Sequence, residues 1–357
     1  MVRWLRGPSA LEQLGDRFDA LMERTRVPVT ARRTWLQTWC DAFRDHEPWI
    51  AVVDGAHGNI DACAMLARRV RGGILDVNNL GRGPSDYTFL PARDAAAGQR
   101  LADGVVAGLG ALRRPWRVRI EQVPVNDPVA TAIAAGLRVA AVVPGDPSPI
   151  VELRPGTSAD DYMSSRMRRS VRTAVNRLAR DGRRAEYVHE RAPAAIGAFL
   201  PEVERVWRER DQALGRRSDT DDPAGLGFFL AAVQGLAEEG EIELTVLLID
   251  GAMAAFAVCL LDDRAHRVWI PRIAPEFGVY NPGHLVNRSL VAQALERGCD
   301  QLDWMRGEEP YKLETATTAI EHEHLLAWSS PAVRSVTEGA RSARDYVAAR
   351  REERARA

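Results

Sequence analysis

Hydrophobic and polar positions change period several times along this chain. From Leu11 to Phe43 apolar residues recur at helical spacing and predict two amphipathic helices, the second over TWLQTWCDAF, where Trp35 and Trp39 stand four residues apart on one core-facing side. Strand-type runs follow at WIAVVDG, IDACAMLARRV and ILDVNNL, then a polar loop GRGPSDYTFLPARD, a helix across 101–112, a strand WRVRIEQV, a short helix near Ala130 and a strand LRVAAVV. The order then repeats from Pro149: strand SPIVEL, a basic helix over 159–180, strand AEYVHE, helices across 199–207 and 228–237, strands IELTVLLIDG, AAFAVCLLDD and HRVWIPRIA, another helix, and DQLDWM.

WIAVVDGAHGNIDACAMLARR and ELTVLLIDGAMAAFAVCLLDDR match in strand length, Asp-Gly turn and small-residue content, which reads as duplication of one α/β unit. The cluster PGDPSP between Val143 and Ile150 marks the boundary. The expected division is 1–147, 148–330 and a charged helical tail over 331–357.

With 357 residues, 46% hydrophobic and 27% charged, the chain is long enough for two buried cores. A net charge of −1 excludes a global basic field for nucleic acid, so any polyanion site must be local. No segment nears the roughly 20 apolar residues of a membrane span and the start lacks a signal-type apolar run, so the cytoplasm is the expected location. Cys40, Cys63, Cys259 and Cys299 stand singly and read as reduced core thiols.

Of the 48 basic side chains 47 are arginines, and the single lysine, Lys312, lies in DWMRGEEPYKLE. A general replacement of lysine by arginine spares positions where a compact ammonium is needed, which marks Lys312. The same stretch gathers Asp303, Arg306, Glu308, Glu309 and Tyr311 just past a strand, where ligands of α/β folds bind. Upstream, NPGHLVNRSLVAQALERG specifies a helix with Asn281 as N-cap, Pro282 in the first turn and Gly298 at its end. The first amides, of Gly283, His284 and Leu285, are expected to face outward and suit a pyrophosphate.

Eight arginines fall between Arg166 and Arg184, Arg168 and Arg172 among them, forming either a solvated helix face or a groove for phosphate or carboxylate. Asp86 and Tyr87 sit in the longest polar loop of the first half, where a substrate contact and a simple turn are both open readings. His322 and His324 share a strand face without a third ligand at a metal-binding spacing, so no metal is expected.

Taken together, TWLQTWCDAF, SDY, RMRRSVRTAVNRLARDG, NPGHLV and above all DWMRGEEPYKLE resemble the GNAT acyltransferase superfamily, and within it the CelD/BcsL group, related to FemAB-type aminoacyl transferases. The resemblance covers roughly Trp35 to Trp328. It implies an α/β fold of α+β type built as tandem GNAT-like domains, each a mixed twisted sheet flanked by helices, with the first a degenerate copy and the second catalytic.

The implied activity is acyl transfer from acyl-CoA, such as acetyl-CoA, to an amine or hydroxyl of a small-molecule, sugar or natural-product acceptor. Such a reaction needs a base, an acid and charge stabilisation. Asp303 or Glu309 is the expected base, Tyr311 the acid and Lys312 the stabiliser. Asn281, Gly283, His284 and Leu285 are expected at the cofactor, and Arg306, Asp86, Tyr87, Arg168, Arg172 and Trp269 at the substrate. One departure stands out: FGVYNPGH has a single glycine in the turn where simple GNAT enzymes carry a glycine-rich loop. The alternatives are an aminoacyl-tRNA donor read by the arginine helix and a non-catalytic binding module.

Overall fold

The computed structural model describes residues 2–340. Its elements run β1 (Val2–Arg6), α1 (Asp16–Thr25), α2 (Arg33–Ala42), β2 (Glu47–Asp54), β3 (Ile60–Arg71), β4 (Ile74–Asn79), α3 (Ala95–Gly110), β5 (Trp116–Pro124), α4 (Pro128–Gly136), β6 (Ala140–Pro144) and β7 (Ser148–Glu152). They continue with α5 (Ser165–Arg180), β8 (Ala185–Glu190), α6 (Pro193–Ala213), α7 (Pro223–Glu239), β9 (Ile242–Ile249), β10 (Ala252–Leu261), β11 (Ala265–Ile273), α8 (Pro282–Glu296), β12 (Gln301–Asp303), α9 (Pro310–Leu313), β13 (Thr318–Ile320) and β14 (His322–Trp328).

The strands form two mixed seven-stranded sheets, ordered β1-β2-β3-β4-β5-β14-β6 and β13-β7-β12-β11-β10-β9-β8. Read from β1 and from β8, the pairings are the same in both: three antiparallel, one parallel (β4 with β5, β11 with β12), then two antiparallel. The duplication inferred from the two hairpins therefore extends to the whole sheet. It also has a twist of connectivity. The strand between β5 and β6 is β14, from the end of the second copy, and the strand between β12 and β13 is β7, which follows directly from the first copy.

Two compact units result, one of residues up to 27, 44–145 and from 322, the other of 28–43 and 146–321. This corrects the expected 1–147 and 148–330 division at two places. β14 hydrogen-bonds to β5 and β6, so it belongs with the first sheet. The 28–43 segment belongs with the second because α2 buries Trp35 against Phe228 and Trp269, at ring separations of 5.1 and 4.8 Å, and Thr34 bonds Glu239. Of the expected 331–357 tail, 331–340 is helical and the rest lies outside the described residues.

In the first unit α3 and α4 cover one sheet face, packing Leu101, Val105 and Ile133 on Trp49, Val53, Val77 and Val118. Asp94 and Asp127 cap the two helices, each accepting from a backbone N–H at 2.8 Å. Gly104 and Gly108 are there because the chain comes close: a Cβ would fall 2.1 Å from Val2 and 2.5 Å from Trp4.

In the second unit the stripe Met167, Val171, Ala174 and Leu178 of α5 joins Leu285, Leu290 and Val291 of α8 over Leu247, Ala257 and Leu302. Helices α6 and α7 bring Trp207 edge-on to Phe229, which packs on Trp269.

Candidate active site

Strand β11 has nine residues, yet only Ala265, His266 and Arg267 pair with the three residues of β12. The expected strand DQLDWM thus ends at Asp303. From there the two parallel chains part, while β11 stays paired to β10 as far as Ile273. One extra residue, Trp269, is accommodated in that ladder between the pairs Val258–Ile270 and Cys259–Val268, a bulge of the kind that re-aims a strand beside a site. The parting leaves an open cleft at the strand ends, where α/β folds bind ligands. It holds a cavity of about 540 Å³ walled by Pro271, Arg272 and Ile273 of β11, by Asn281, Gly283, His284 and Asn287 around the α8 start, by Glu309 and Tyr311, and by Arg210, Leu214 and Arg216 at the end of α6.

Glu309 and Tyr311 reach the cavity on a hydrogen-bonded tongue that follows β12. Met305 takes a left-handed conformation (φ 57°), and Gly307 follows at φ 105°, where a Cβ would meet Glu309 Oε2 at 2.7 Å. Asp303, fully buried, holds the turn: it accepts from the Met305 N–H at 2.7 Å and pairs with Arg267. Trp304 donates to Thr315 at 2.7 Å, and Tyr311 meets its ring edge-on at 6.0 Å.

Lys312 is 5% exposed and donates to the carbonyls of Arg306 at 2.5 Å and Met305 at 3.5 Å and to Glu309 Oε2 at 2.9 Å. Three acceptors around a compact three-donor head explain why this one position kept lysine. Its amine is turned into the tongue; Glu309 and Tyr311, not Lys312 or Asp303, line the cavity. Burial raises the Glu309 pKa, but hydrogen bonding and charge from Lys312, with Arg272 adding, bring it below the usual carboxylate value.

At the α8 start Asn281 has φ 47° and makes no side-chain cap, and the N–H groups of His284 and Leu285 both return to its carbonyl at 3.1 and 3.4 Å. This corrects the expectation of an Asn281 side-chain cap below three outward amides. The left-handed Asn281 closes the turn with its own carbonyl, and Leu285 packs into the core. His284 is held on both sides: Nδ1 lies 2.8 Å from Ser170 Oγ on α5 and Nε2 3.5 Å from Glu314.

Other expected site residues stand elsewhere. Arg306 meets Lys312 through its carbonyl and does not line the cavity. Arg168 caps the turn before α5, donating to Asp160 O and Met163 O at 3.0 and 2.7 Å, and Arg172 is exposed on α5. Trp269 is part of the aromatic core, because the bulge points it at Trp35 and Phe229. Asp86 and Tyr87 belong to the first unit, where Tyr87 is buried and stacked on His322 at 5.0 Å. Among the described residues no three His, Cys, Asp or Glu side chains are grouped to hold a metal.

Sequence reasoning missed Arg210, Arg216, Arg272 and Ser170. A single arginine carries no signal in a chain with 47 of them. Ser170 is recognisable only once α5 and α8 are packed together.

Residues 165–313 match a family described as the acetyltransferase (GNAT) domain. No curated protein matches the chain. Among solved structures it is similar to FemX (11% identity, TM-score 0.60, covering 87% of this chain and 95% of that one). It is also similar to L-PGS from Bacillus licheniformis (16%, TM-score 0.54, 88% and 91%). A third is the C-terminal domain of a putative lysylphosphatidylglycerol synthetase from Agrobacterium fabrum (12%, TM-score 0.55, 92% and 96%). At such identities these likenesses describe the fold. No helix among the described residues is long and apolar enough to cross a membrane.

Proposed function

We propose that this chain, an acyltransferase by its GNAT domain, moves an acyl group from an acyl-CoA thioester to an amine or hydroxyl in the β11–α8 cavity, as an outlying member of the CelD/BcsL group. The observation that carries the reading is the parting of β11 from β12. It frees a strand edge on which an amide-bearing donor arm adds as an extra strand, and that edge runs up to Gly283 at the α8 start, which lines the same cavity.

The acceptor, as neutral amine or hydroxyl, attacks the thioester carbonyl. The new C–N or C–O bond forms as C–S breaks, Glu309 takes the nucleophile's proton and Tyr311 gives one to the leaving thiolate. Solvent restores both. Asp303 and Lys312 hold the tongue that presents these two groups. The test measures thermal shift with acetyl-CoA and free thiol release with amine acceptors. A stabilising shift is expected, with Glu309→Gln lowering kcat by about 10²- to 10⁴-fold at unchanged acetyl-CoA affinity; a Gln variant as active as the parent removes Glu309 from the reaction.

A second reading, an aminoacyl-tRNA donor, is favoured by the exposed Arg169 and Arg172 on α5 and by the single glycine at the helix start. FemX and L-PGS share the fold. Salt separates the two donors: tRNA affinity falls steeply between 50 and 200 mM salt, whereas that of one CoA responds far less.

A further inference from the structure

On the α6 side of the cavity the chemistry differs from that at the α8 start. Arg272, near the end of β11, lies with its guanidinium 5.1 Å over the ring of Trp207, and its side chain is only 19% exposed. Its Nη1 donates to the carbonyl of Pro271 at 2.9 Å, and its Nε, itself buried, has no hydrogen-bond partner among the described residues. The carboxylate paired with it is that of Asp211, 3.8 Å from Nε and 3% exposed.

That carboxylate is already engaged. Arg216 approaches it at 2.6 and 2.7 Å and Ser218 donates to it at 2.9 Å. Arg210 and Arg216 line the same wall. Burial draws the Arg272 pKa below the ordinary guanidinium value, Asp211 opposing and Arg216 assisting. Three guanidinium groups therefore line this wall while the carboxylate beside them, Asp211, is shared between Arg216 and Arg272 and does not line the cavity, an excess of positive charge that an anionic ligand group would balance. Glu309 lines the same cavity, held in its ionised form by Lys312 and suited to a positive or proton-bearing nitrogen.

We infer that the acceptor is an amine carrying its own anionic group, a carboxylate or a phosphate, which Arg272 binds with Arg210 and Arg216 while the nitrogen faces Glu309. Asp211 is a positioning residue that keeps Arg216 and Arg272 on this wall. The inference deepens the acyltransferase reading by naming the acceptor class, and it rests on that reading only for the order of events.

The experiment compares paired amines with the full chain, by calorimetry with and without acetyl-CoA: L-alanine against L-alaninamide, and glucosamine 6-phosphate against glucosamine. At least one charged member is expected to bind about tenfold or more tighter than its neutral twin, and the pair that shows the gap tells carboxylate from phosphate. Arg272→Gln should weaken that charged member by about 10- to 100-fold, closing the gap, with acetyl-CoA affinity changed less than about twofold.

Equal or absent binding of the twins by the parent protein sinks the proposal, and so does an R272Q variant that loses acetyl-CoA more than the charged amine, since the anion would then be the donor's. If R272Q does not fold, R216Q and the parent comparison still decide. A preserved twin gap without any acetyl-CoA binding would instead overturn the donor assignment and leave this subsite standing.

Discussion

Lys312 shows how far residue chemistry can be read without coordinates. Its singularity among 47 arginines pointed to a position that rejects guanidinium, and the reason is a closed set of three acceptors, two of them backbone carbonyls of a turn with left-handed Met305 and Gly307. The sequence could not say that the amine points inward, because the turn is made by a bulky residue in a conformation that favours glycine. Replacing Lys312 by Met leaves the Met305 and Arg306 carbonyls without this donor, while the half-exposed Glu309 carboxylate turns to water, which should cost about 1–3 kcal/mol in urea unfolding. Lys312→Arg should recover little of it, as the planar head cannot meet three acceptors arranged for an ammonium. Either variant should also lower kcat through displaced Glu309; a variant with parental stability and turnover would refute the clamp.

At the scale of elements, helices and hairpins were legible because their periodicity is local: α2 and α8 and the two long hairpins lie where the pattern put them, and of the basic helix expected over 159–180 the part from Ser165 is α5, with a separate 3-10 turn over Ala159–Tyr162 before it. β1, β12 and β13 were missed or overextended because strands of three to five residues offer too few alternating positions. One polar group escaped notice inside a strand. His266 on β11 is fully buried, neither ring nitrogen has a hydrogen-bond partner among the described residues, and burial, opposed by Glu243, pushes its pKa from 6.5 down to about 4.

Because the folded value is depressed, the neutral ring stabilises fully above pH 6.5 and its contribution is lost as pH falls to about 4, where the unfolded chain alone has been gaining the proton. Urea unfolding at pH 7.5 and 4.5 should show a loss of up to about 3 kcal/mol from this group. His266→Leu should remove that increment; an unchanged pH dependence in the variant would assign it elsewhere.

For the whole molecule, the duplication was visible in the sequence but the exchange of β7 and β14 was not, since a strand's run of apolar residues does not say which sheet takes it. A chain ending after Glu321 lacks the strand that bonds both β5 and β6, so its first unit should lose cooperative unfolding and become sensitive to limited proteolysis. The fragment 146–321 keeps all seven strands of its sheet but lacks α2, leaving Phe228 and Trp269 uncovered. Circular dichroism should show strand structure in that fragment, with greatly reduced stability; a stably folded 1–145 fragment would contradict the exchange.

The placement of β14 also bears on how the protein is made. A ribosome releases the N-terminal half first, yet that half keeps β5 and β6 as two unsatisfied edges until residue 328 has left the exit tunnel. Those edges stay open to a neighbouring chain for the whole time the second unit is being made, so cellular yield should depend on chaperones that shield the nascent edges.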